Sequence, residues 1–161
     1  MEALQVFSDF ISQNLNNAYR FAYTYTKNQQ DAEDVVNESV IKAMRGIHSL
    51  REPSKIKPWF YRIIANTALT YLKNRQKNIA PPLDEVDPGR LTHMDDYSKM
   101  MVEDMLKTLD EKSRAILVLR YFERMTLSEI GEVLAMNDNT VKSRLYRTLE
   151  QLREDEKGAV I

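Results

Sequence analysis

The chain has 161 residues, a net charge of −1 and no cysteine, which excludes a disulfide framework and metal sites built on thiolates. Its first residues lack the basic and apolar parts of a signal peptide, and no run of about 18 apolar residues predicts a membrane span. Only 4 glycines interrupt segments in which apolar residues recur at helical spacing. The sequence therefore predicts an all-α protein.

The N-terminal half predicts a bundle of three helices, which we assign to a first domain over residues 1–78. The first helix covers about 3–27 and ends at the polar run KNQQD. The second is expected to begin at Asp31, whose carboxylate is a favoured helix cap, and to end near residue 47. The third covers about 58–77.

A segment of different composition follows the three predicted helices. Residues 79–97 contain three prolines, one glycine and five acidic side chains, with little apolar periodicity. This composition predicts an acidic flexible linker. We therefore expect two domains that move independently in the free chain, the second of them covering residues 98–161.

The second domain contains the most specific pattern in the chain. Thr126 is followed three residues later by Glu129, a spacing that predicts a capping box at the start of a short helix. A tight turn comes next, and Asn137 is expected to cap a longer helix. This order predicts a helix-turn-helix, in which Gly131 supplies the small residue needed where the two helices cross.

The last predicted helix has a basic, polar face opposite its apolar stripe. Arginine and asparagine can read guanine and adenine from the major groove, whereas lysine more often holds phosphate. A solvated face on an ordinary bundle helix is the alternative, and the helix-turn-helix context favours DNA. The predicted duplex-binding residues are Asn139, Thr140, Lys142, Ser143, Arg144, Tyr146 and Arg147.

A second basic segment lies at residues 51–78, which contain seven basic side chains and one acidic side chain. On the third helix, one face combines Trp59, Arg62, Asn66 and Lys73. A basic stripe with an aromatic ring suits nucleic acid whose bases are unstacked. Ordinary core packing is the alternative explanation for Trp59.

Taken together, four segments resemble the extracytoplasmic-function sigma factors, which are sigma-70-family initiation subunits of bacterial RNA polymerase. The segments are DAEDVVNESVIKAM, PWFYRIIANTAL, LDEKSRAILVLRYFERMTLSEIGEVL and NTVKSRLYRTLEQLRE. They follow the order and spacing of the family over nearly the whole chain. The resemblance implies that the two predicted domains are sigma region 2 and sigma region 4.

The resemblance also implies roles for individual residues. The second helix would dock on core RNA polymerase through Asp31, Glu33, Asp34 and Glu38, although the helix dipole alone also favours an acidic first turn. The loop 48–57 and the helix from Trp59 would read and open the −10 promoter element, with Asn66 at the family's usual asparagine. The face of the last helix would read the −35 element.

The function implied is that of an alternative sigma factor, which binds core polymerase and directs promoter-specific initiation. No enzyme activity, cofactor or small-molecule substrate is expected, and His48 and His93 are too isolated to suggest a metal site. The implied location is the cytoplasm, at the inner face of the membrane when a membrane-anchored anti-sigma factor binds the chain. Ala135 stands where the family usually has glycine, so we expect a turn that needs no positive φ.

Two other classes of function remain open from the sequence. A stand-alone helix-turn-helix regulator would bind duplex DNA tightly without polymerase. A helical interaction protein with an inert DNA reader would direct no promoter-specific transcription. The acidic linker and the basic helix of the first domain are hard to explain with a stand-alone regulator.

Overall fold

The structure, a computed structural model, describes residues 2–77 and 109–159, and every regular element within them is a helix. The predicted linker at 79–97 and the predicted start of the second domain at residue 98 lie outside these residues. The all-α prediction is confirmed. The elements of the first region are α1 (Glu2–Thr26), α2 (Gln29–Gly46), two short 3-10 turns (Ile47–Ser49 and Pro53–Lys55) and α3 (Ile56–Lys77).

Aromatic rings from α1 and α3 form the core of the first region. The ring of Phe21 stacks on Tyr61 with centroids 5.3 Å apart, and Phe7 meets Phe60 edge-on at the same centroid distance. All four side chains are buried. Such rings bury large apolar areas in fixed geometries, so they hold α3 and its polar outer face in a defined orientation on the bundle.

The start of α2 differs from the sequence prediction. Asn28, not Asp31, is the N-cap, and its side chain accepts a hydrogen bond from the backbone N–H of Asp31 at 3.0 Å. The prediction of Asp31 as the cap is therefore wrong. Both residue types are good caps, so type alone could not decide between them. The Asp31 side chain is free to point toward α3.

The second region contains the predicted helix-turn-helix. Asp110 caps the first helix and accepts a hydrogen bond from the backbone N–H of Ser113 at 2.8 Å, which lowers the pKa of the Asp110 carboxyl. This helix continues into one π-helical turn. The elements are α4 (Glu111–Leu117), the π turn (Val118–Phe122), α5 (Leu127–Leu134) and α6 (Asp138–Ala159).

Both predicted caps of the helix-turn-helix are confirmed. The Thr126 side chain accepts from the backbone N–H of Glu129 at 3.1 Å, and the Glu129 carboxylate accepts from the N–H of Thr126 at 2.9 Å. The Asn137 side chain accepts from the N–H of Thr140 at 2.8 Å. These bonds satisfy N–H groups that have no partner inside their own helix, so the sequence fixes where α5 and α6 begin.

The turn between α5 and α6 contradicts one expectation. Ala135 ends α5 in the left-handed conformation, with φ of 55° and ψ of 48°. The prediction of a turn without a positive φ is therefore wrong. An L-residue in this conformation brings its Cβ close to the following carbonyl oxygen, at a cost of roughly 1–2 kcal/mol. The tight turn is thus kept at a local conformational cost.

We expect Ala135→Gly to raise the free energy of unfolding by about 1 kcal/mol, because glycine adopts the left-handed conformation without the Cβ clash. Urea unfolding followed by circular dichroism measures the change. Glu150→Gly is the control, since that exposed position lies inside α6 and glycine there should lower stability by about 1 kcal/mol. If Ala135→Gly also lost stability, as Glu150→Gly should, the conformation of Ala135 would not be strained.

The two regions pack directly against each other. The hydroxyl of Tyr61 in α3 donates to the carboxylate of Glu123 at 2.7 Å, and the Glu123 side chain is 0 % exposed. The two regions of this structure are therefore in direct contact, and independent movement of the domains in the free chain stays a prediction. Periodicity within one helix does not predict this contact, because Tyr61 lies 62 positions before Glu123 in the chain.

Candidate nucleic-acid interface

The polar face of α6 is open to solvent, as the sequence predicts for a DNA reader. Val141 and Leu145 are buried on the opposite side, so they fix which face of the helix points outward. The side chain of Lys142 lies over the ring of Tyr146, 6.0 Å from its centroid. The exposed members of the predicted set are Asn139, Thr140, Lys142, Ser143, Tyr146 and Arg147.

Arg144 is the exception in the predicted set. Its guanidinium lies 3.4 Å from the carboxylate of Asp110, and its Nε is buried without a hydrogen-bond partner in the described residues. The side chain is 27 % exposed. Arg144 therefore joins α6 to the start of α4, a structural contact that the periodicity of α6 alone could not reveal.

The structure places three of the four residues predicted to bind the opened strand on one exposed side of α3. Arg62, Asn66 and Lys73 are exposed along one side of the helix. Trp59 is half-buried, and its ring meets Phe7 edge-on with centroids 6.5 Å apart. The indole thus packs on the core with one part and borders solvent with the other, and its contact with an unstacked base stays a prediction.

A cleft of about 380 Å³ opens beside Trp59. Its walls come from the loop before α3, from the start of α3 and from one residue of α5, Glu132. Its three cationic side chains and its aromatic ring suit an unstacked base with its phosphate, and two carboxylates, Glu52 and Glu132, lie beside them. The lining residues are Ser49, Leu50, Arg51, Glu52, Lys55, Pro58, Trp59, Arg62 and Glu132.

Asp31, predicted to contact polymerase, is held inside the first region. Its carboxylate accepts a hydrogen bond from the hydroxyl of Tyr71 at 2.7 Å and also contacts the guanidinium of Arg75. Burial, and then the bond to Asp31, raises the pKa of Tyr71 to about 12. Asp31 therefore connects the start of α2 to the end of α3 through a hydrogen bond and an ion pair.

We expect Asp31→Ala to lower the free energy of unfolding by about 1–3 kcal/mol, because the change leaves polar groups of Tyr71 and Arg75 without their acceptor. Thermal unfolding of the purified chain measures the loss. The control is Glu38→Ala, since that side chain is exposed and its ion pair among the described residues is an exposed one with Lys42 at 3.7 Å. Unchanged stability of Asp31→Ala would leave polymerase contact as its only proposed role.

The other predicted docking residues differ in exposure. Glu33 is half-buried near Tyr19, where burial and then the charge of Glu33 raise the pKa of the tyrosine. Asp34 and Glu38 are exposed on α2. The structure therefore keeps Asp34 and Glu38 on an outer surface and directs part of the acidic first turn inward.

Two exposed apolar side chains on α2 were missed by the sequence analysis. Ile41 is 50 % exposed and Met44 is 51 % exposed, and they lie three residues apart on α2, so their side chains are neighbours on the helix surface. Neither lies on the buried stripe of the helix. That mismatch with the core stripe is the signal that could have identified them, because large apolar groups left in water at neighbouring positions often mark a protein contact.

Other kinds of site are not found in the part of the chain that the structure describes. Over residues 2–77 and 109–159, no group of three or more histidine, cysteine or acidic residues could hold a metal ion. Among the same residues, no helix has the length and apolarity of a membrane span. The surface features to be explained are thus the basic faces and the apolar pair on α2.

A helix-turn-helix joined to a second cationic helical bundle defines a class of nucleic-acid-binding protein. Residues 10–78 match the model of sigma-70 region 2, and residues 105–154 match that of sigma-70 region 4. The RNA polymerase sigma factor SigV of Bacillus subtilis is 39 % identical over 147 residues, covering 89 % of this chain and 86 % of the relative. The chain belongs to the sigma-70 family, as an extracytoplasmic-function RNA polymerase sigma factor.

Further relatives agree with this assignment. The extracytoplasmic-function RNA polymerase sigma-E factor of Haemophilus influenzae is 31 % identical over 141 residues, covering 77 % of this chain and 74 % of the relative. The solved complex of the sigma factor RpoE with the anti-sigma factor NepR from Bartonella quintana has a TM-score of 0.70 at 21 % identity, covering 92 % of this chain and 97 % of that one. CnrH, solved with the cytosolic domain of CnrY, has a TM-score of 0.68 at 20 % identity over 97 % of this chain and 95 % of that one. These two likenesses describe the fold.

Proposed function

We propose that this sigma factor divides promoter recognition between its two basic faces. The chain binds core RNA polymerase and directs promoter-specific transcription initiation, and it acts through binding instead of catalysis. The face of α6 reads the −35 element in closed duplex, and the face of α3 captures the opened −10 strand. The observation that carries the proposal is the open polar face of α6 within a capped helix-turn-helix.

The −35 contact uses the major groove, which admits one α-helix. Arg147 and Asn139 are exposed and can read base edges, while Lys142 is suited to phosphate. Ser143, Thr140 and the other exposed members of the set complete the contact. Arg144 remains a proposed contact that would add to its structural bond with Asp110.

The −10 contact uses the cleft beside Trp59. Extruding a base from the duplex costs a few kcal/mol, which contacts to the captured base must offset. Trp59 offers an aromatic surface, Asn66 offers both a donor and an acceptor, and Arg62 and Lys73 offer charge to the backbone. These groups lie along one side of α3, so one strand can run along the helix.

The polymerase contact is centred on α2. We place Asp34 and Glu38 at its polar edge and the exposed pair Ile41 and Met44 at its apolar centre. Burying this pair would supply affinity, and the carboxylates would supply orientation. Asp31 and Glu33 complete the proposed set, with Asp31 acting through its hold on α3.

The remaining elements of the proposal concern organisation and control. The first domain ends near residue 78, an acidic linker covers 79–97, and the second domain begins near residue 98. An anti-sigma factor is the expected antagonist, since the solved RpoE of similar fold is in complex with the anti-sigma factor NepR. We place the chain in the cytoplasm, held at the inner face of the membrane when that partner is membrane-anchored.

The experiment that tests the function adds the full chain to purified core polymerase and a promoter library, followed by sequencing of the transcripts. The expected result is initiation from promoters that share one −35 and one −10 sequence. Tight duplex binding without any polymerase-dependent transcription would instead support a stand-alone helix-turn-helix regulator. A chain that binds neither duplex nor polymerase would overturn both.

A further inference from the structure

We name the loop 48–57, the cleft beside Trp59 and the exposed face of α3 the −10 surface. Three of its cationic side chains contact the helix-turn-helix region. The Nζ of Lys57 donates to the backbone carbonyl of Glu123 at 2.8 Å. The Nζ of Lys55 lies 3.8 Å from the carboxylate of Glu132, and Arg62 donates to the backbone carbonyl of Glu132 at 3.4 Å. Oxygen atoms of the second region thus bind three cationic groups that would otherwise be suited to the phosphates of a DNA strand.

The centre of this contact is a buried carboxylate. We name Arg20, Lys57, Tyr61 and Glu123 the Glu123 cluster. The Glu123 Oε1 accepts from Tyr61 and lies 3.7 Å from the Nζ of Lys57, whereas Oε2 lies 3.6 Å from Arg20 and accepts no hydrogen bond within the described residues. Burial, and then the charge of Glu123, raises the pKa of Tyr61 well above its usual value.

A buried charge cluster of this kind is suited to reversible closure. Removing Glu123 and its cationic partners from water costs free energy that their mutual attraction roughly cancels. On opening, the same groups regain water, so separation carries a smaller penalty than the separation of an equally large apolar contact. Around the cluster, the Lys55–Glu132 pair is half-exposed and is therefore weakened by salt.

We propose that the helix-turn-helix region is an internal competitor of promoter DNA for the −10 surface. In the closed chain, Glu123 after the π turn binds Lys57, and Glu132 of α5 binds Lys55 and Arg62 and forms one wall of the cleft beside Trp59. The two regions must separate before the cleft can take a strand. This inference rests on the proposed function, because it assumes that the −10 surface binds opened DNA.

The expected size of the effect follows from the populations of the two states. The apparent dissociation constant equals the intrinsic one divided by the fraction of chains that are open. If about one chain in ten is open, full opening strengthens strand binding about tenfold. A variant that only loosens the contact should give part of that gain.

The test measures binding of a fluorescent, random-sequence single-stranded DNA to the full chain. Glu132→Lys places a cation opposite Lys55 and should open the chain. Glu52→Lys is the matched control, because Glu52 is exposed and lines the same cleft but forms no described ion pair with the second region. We expect Glu132→Lys to bind about three- to tenfold more tightly than Glu52→Lys. Equal binding by the two variants would overturn the inference.

A second measurement uses the wild-type chain and does not depend on the folding of a variant. A carbodiimide should join the amine of Lys55 to the carboxylate of Glu132, since the two groups lie 3.8 Å apart. Mass spectrometry should detect this cross-linked peptide pair in the free chain and lose it when single-stranded DNA saturates the chain. An undiminished cross-link at saturation would overturn the inference.

The two hypotheses fail in different ways. If the chain directs promoter-specific transcription but the cross-link persists with bound strand, internal competition is wrong and the proposed function stands. If the cross-link is lost on strand binding but core polymerase initiates nowhere with this chain, the proposed function fails while the competition for single-stranded DNA remains.

Discussion

Gly131→Ala should unfold the helix-turn-helix at temperatures where the wild-type region is folded. A Cβ at this position would lie 2.5 Å from the backbone carbonyl oxygen of Met136. That oxygen belongs to the turn and cannot rotate away like a side chain, and the Met136 N–H also donates to the Gly131 carbonyl at 3.0 Å. We expect a loss of about 3 kcal/mol, which is the upper range for forcing extra volume into a packed site.

Differential scanning calorimetry measures this loss, and duplex binding should fall with it. Gly46→Ala is the matched control, because a Cβ there would meet nothing within 4 Å and the residue ends α2 without a positive φ. The control should be neutral or stabilising by up to about 1 kcal/mol. Equal destabilisation by the two substitutions would show that the contact with the Met136 carbonyl oxygen is not the reason why position 131 requires glycine.

The second prediction with a large effect distinguishes the function of the α6 face from that of the α3 face. Arg147→Ala should cost about 1–3 kcal/mol of discrimination at one or two −35 base pairs, because it removes a contact suited to two acceptors of guanine. Asn66→Ala should leave closed-complex binding intact and reduce strand opening. The measurements are duplex binding to single-base variants for Arg147 and permanganate reactivity of unpaired thymines for Asn66.

Two controls accompany these substitutions. Lys142→Ala should weaken binding to all duplexes alike and reduce the salt slope by about one unit, because a lysine contact to phosphate carries no sequence information. A template with a pre-melted −10 segment should restore transcription by Asn66→Ala only in part, since capture is damaged as well as melting. Normal opening by Asn66→Ala, together with failure of Arg147→Ala on the pre-melted template, would reverse the two assignments.

The parts that the sequence predicted well depend on short-range chemistry. Thr126 and Glu129 form their capping box, and Asn137 caps α6, because each bond joins residues three positions apart. The outward face of α6 follows from the same local logic, since Val141 and Leu145 anchor the opposite side. Local propensity and apolar periodicity were therefore sufficient to locate the candidate −35 face.

The parts that escaped prediction depend on which distant residues meet. Aspartate is a good helix cap, so the sequence favours Asp31 as the cap of α2, whereas its bond to Tyr71, 40 positions away, leaves no local pattern. Helical periodicity puts Arg144 on the open face, and it does not predict the contact with Asp110, which lies 34 positions earlier. Ala135 was misjudged for another reason, because the geometry of the turn overrides the preference of its residue. Periodicity describes one helix at a time, so it cannot report these contacts.

The π turn at Val118–Phe122 inserts one residue relative to a continuous α-helix, and its last hydrogen bond joins the N–H of Glu123 to the carbonyl of Val118 at 3.0 Å. One residue corresponds to about 100° of rotation around a helix. Deleting a single residue here would turn the Glu123 carboxylate away from Tyr61 without altering any charge. The length of this turn therefore determines whether the carboxylate of Glu123 can meet Tyr61 at all.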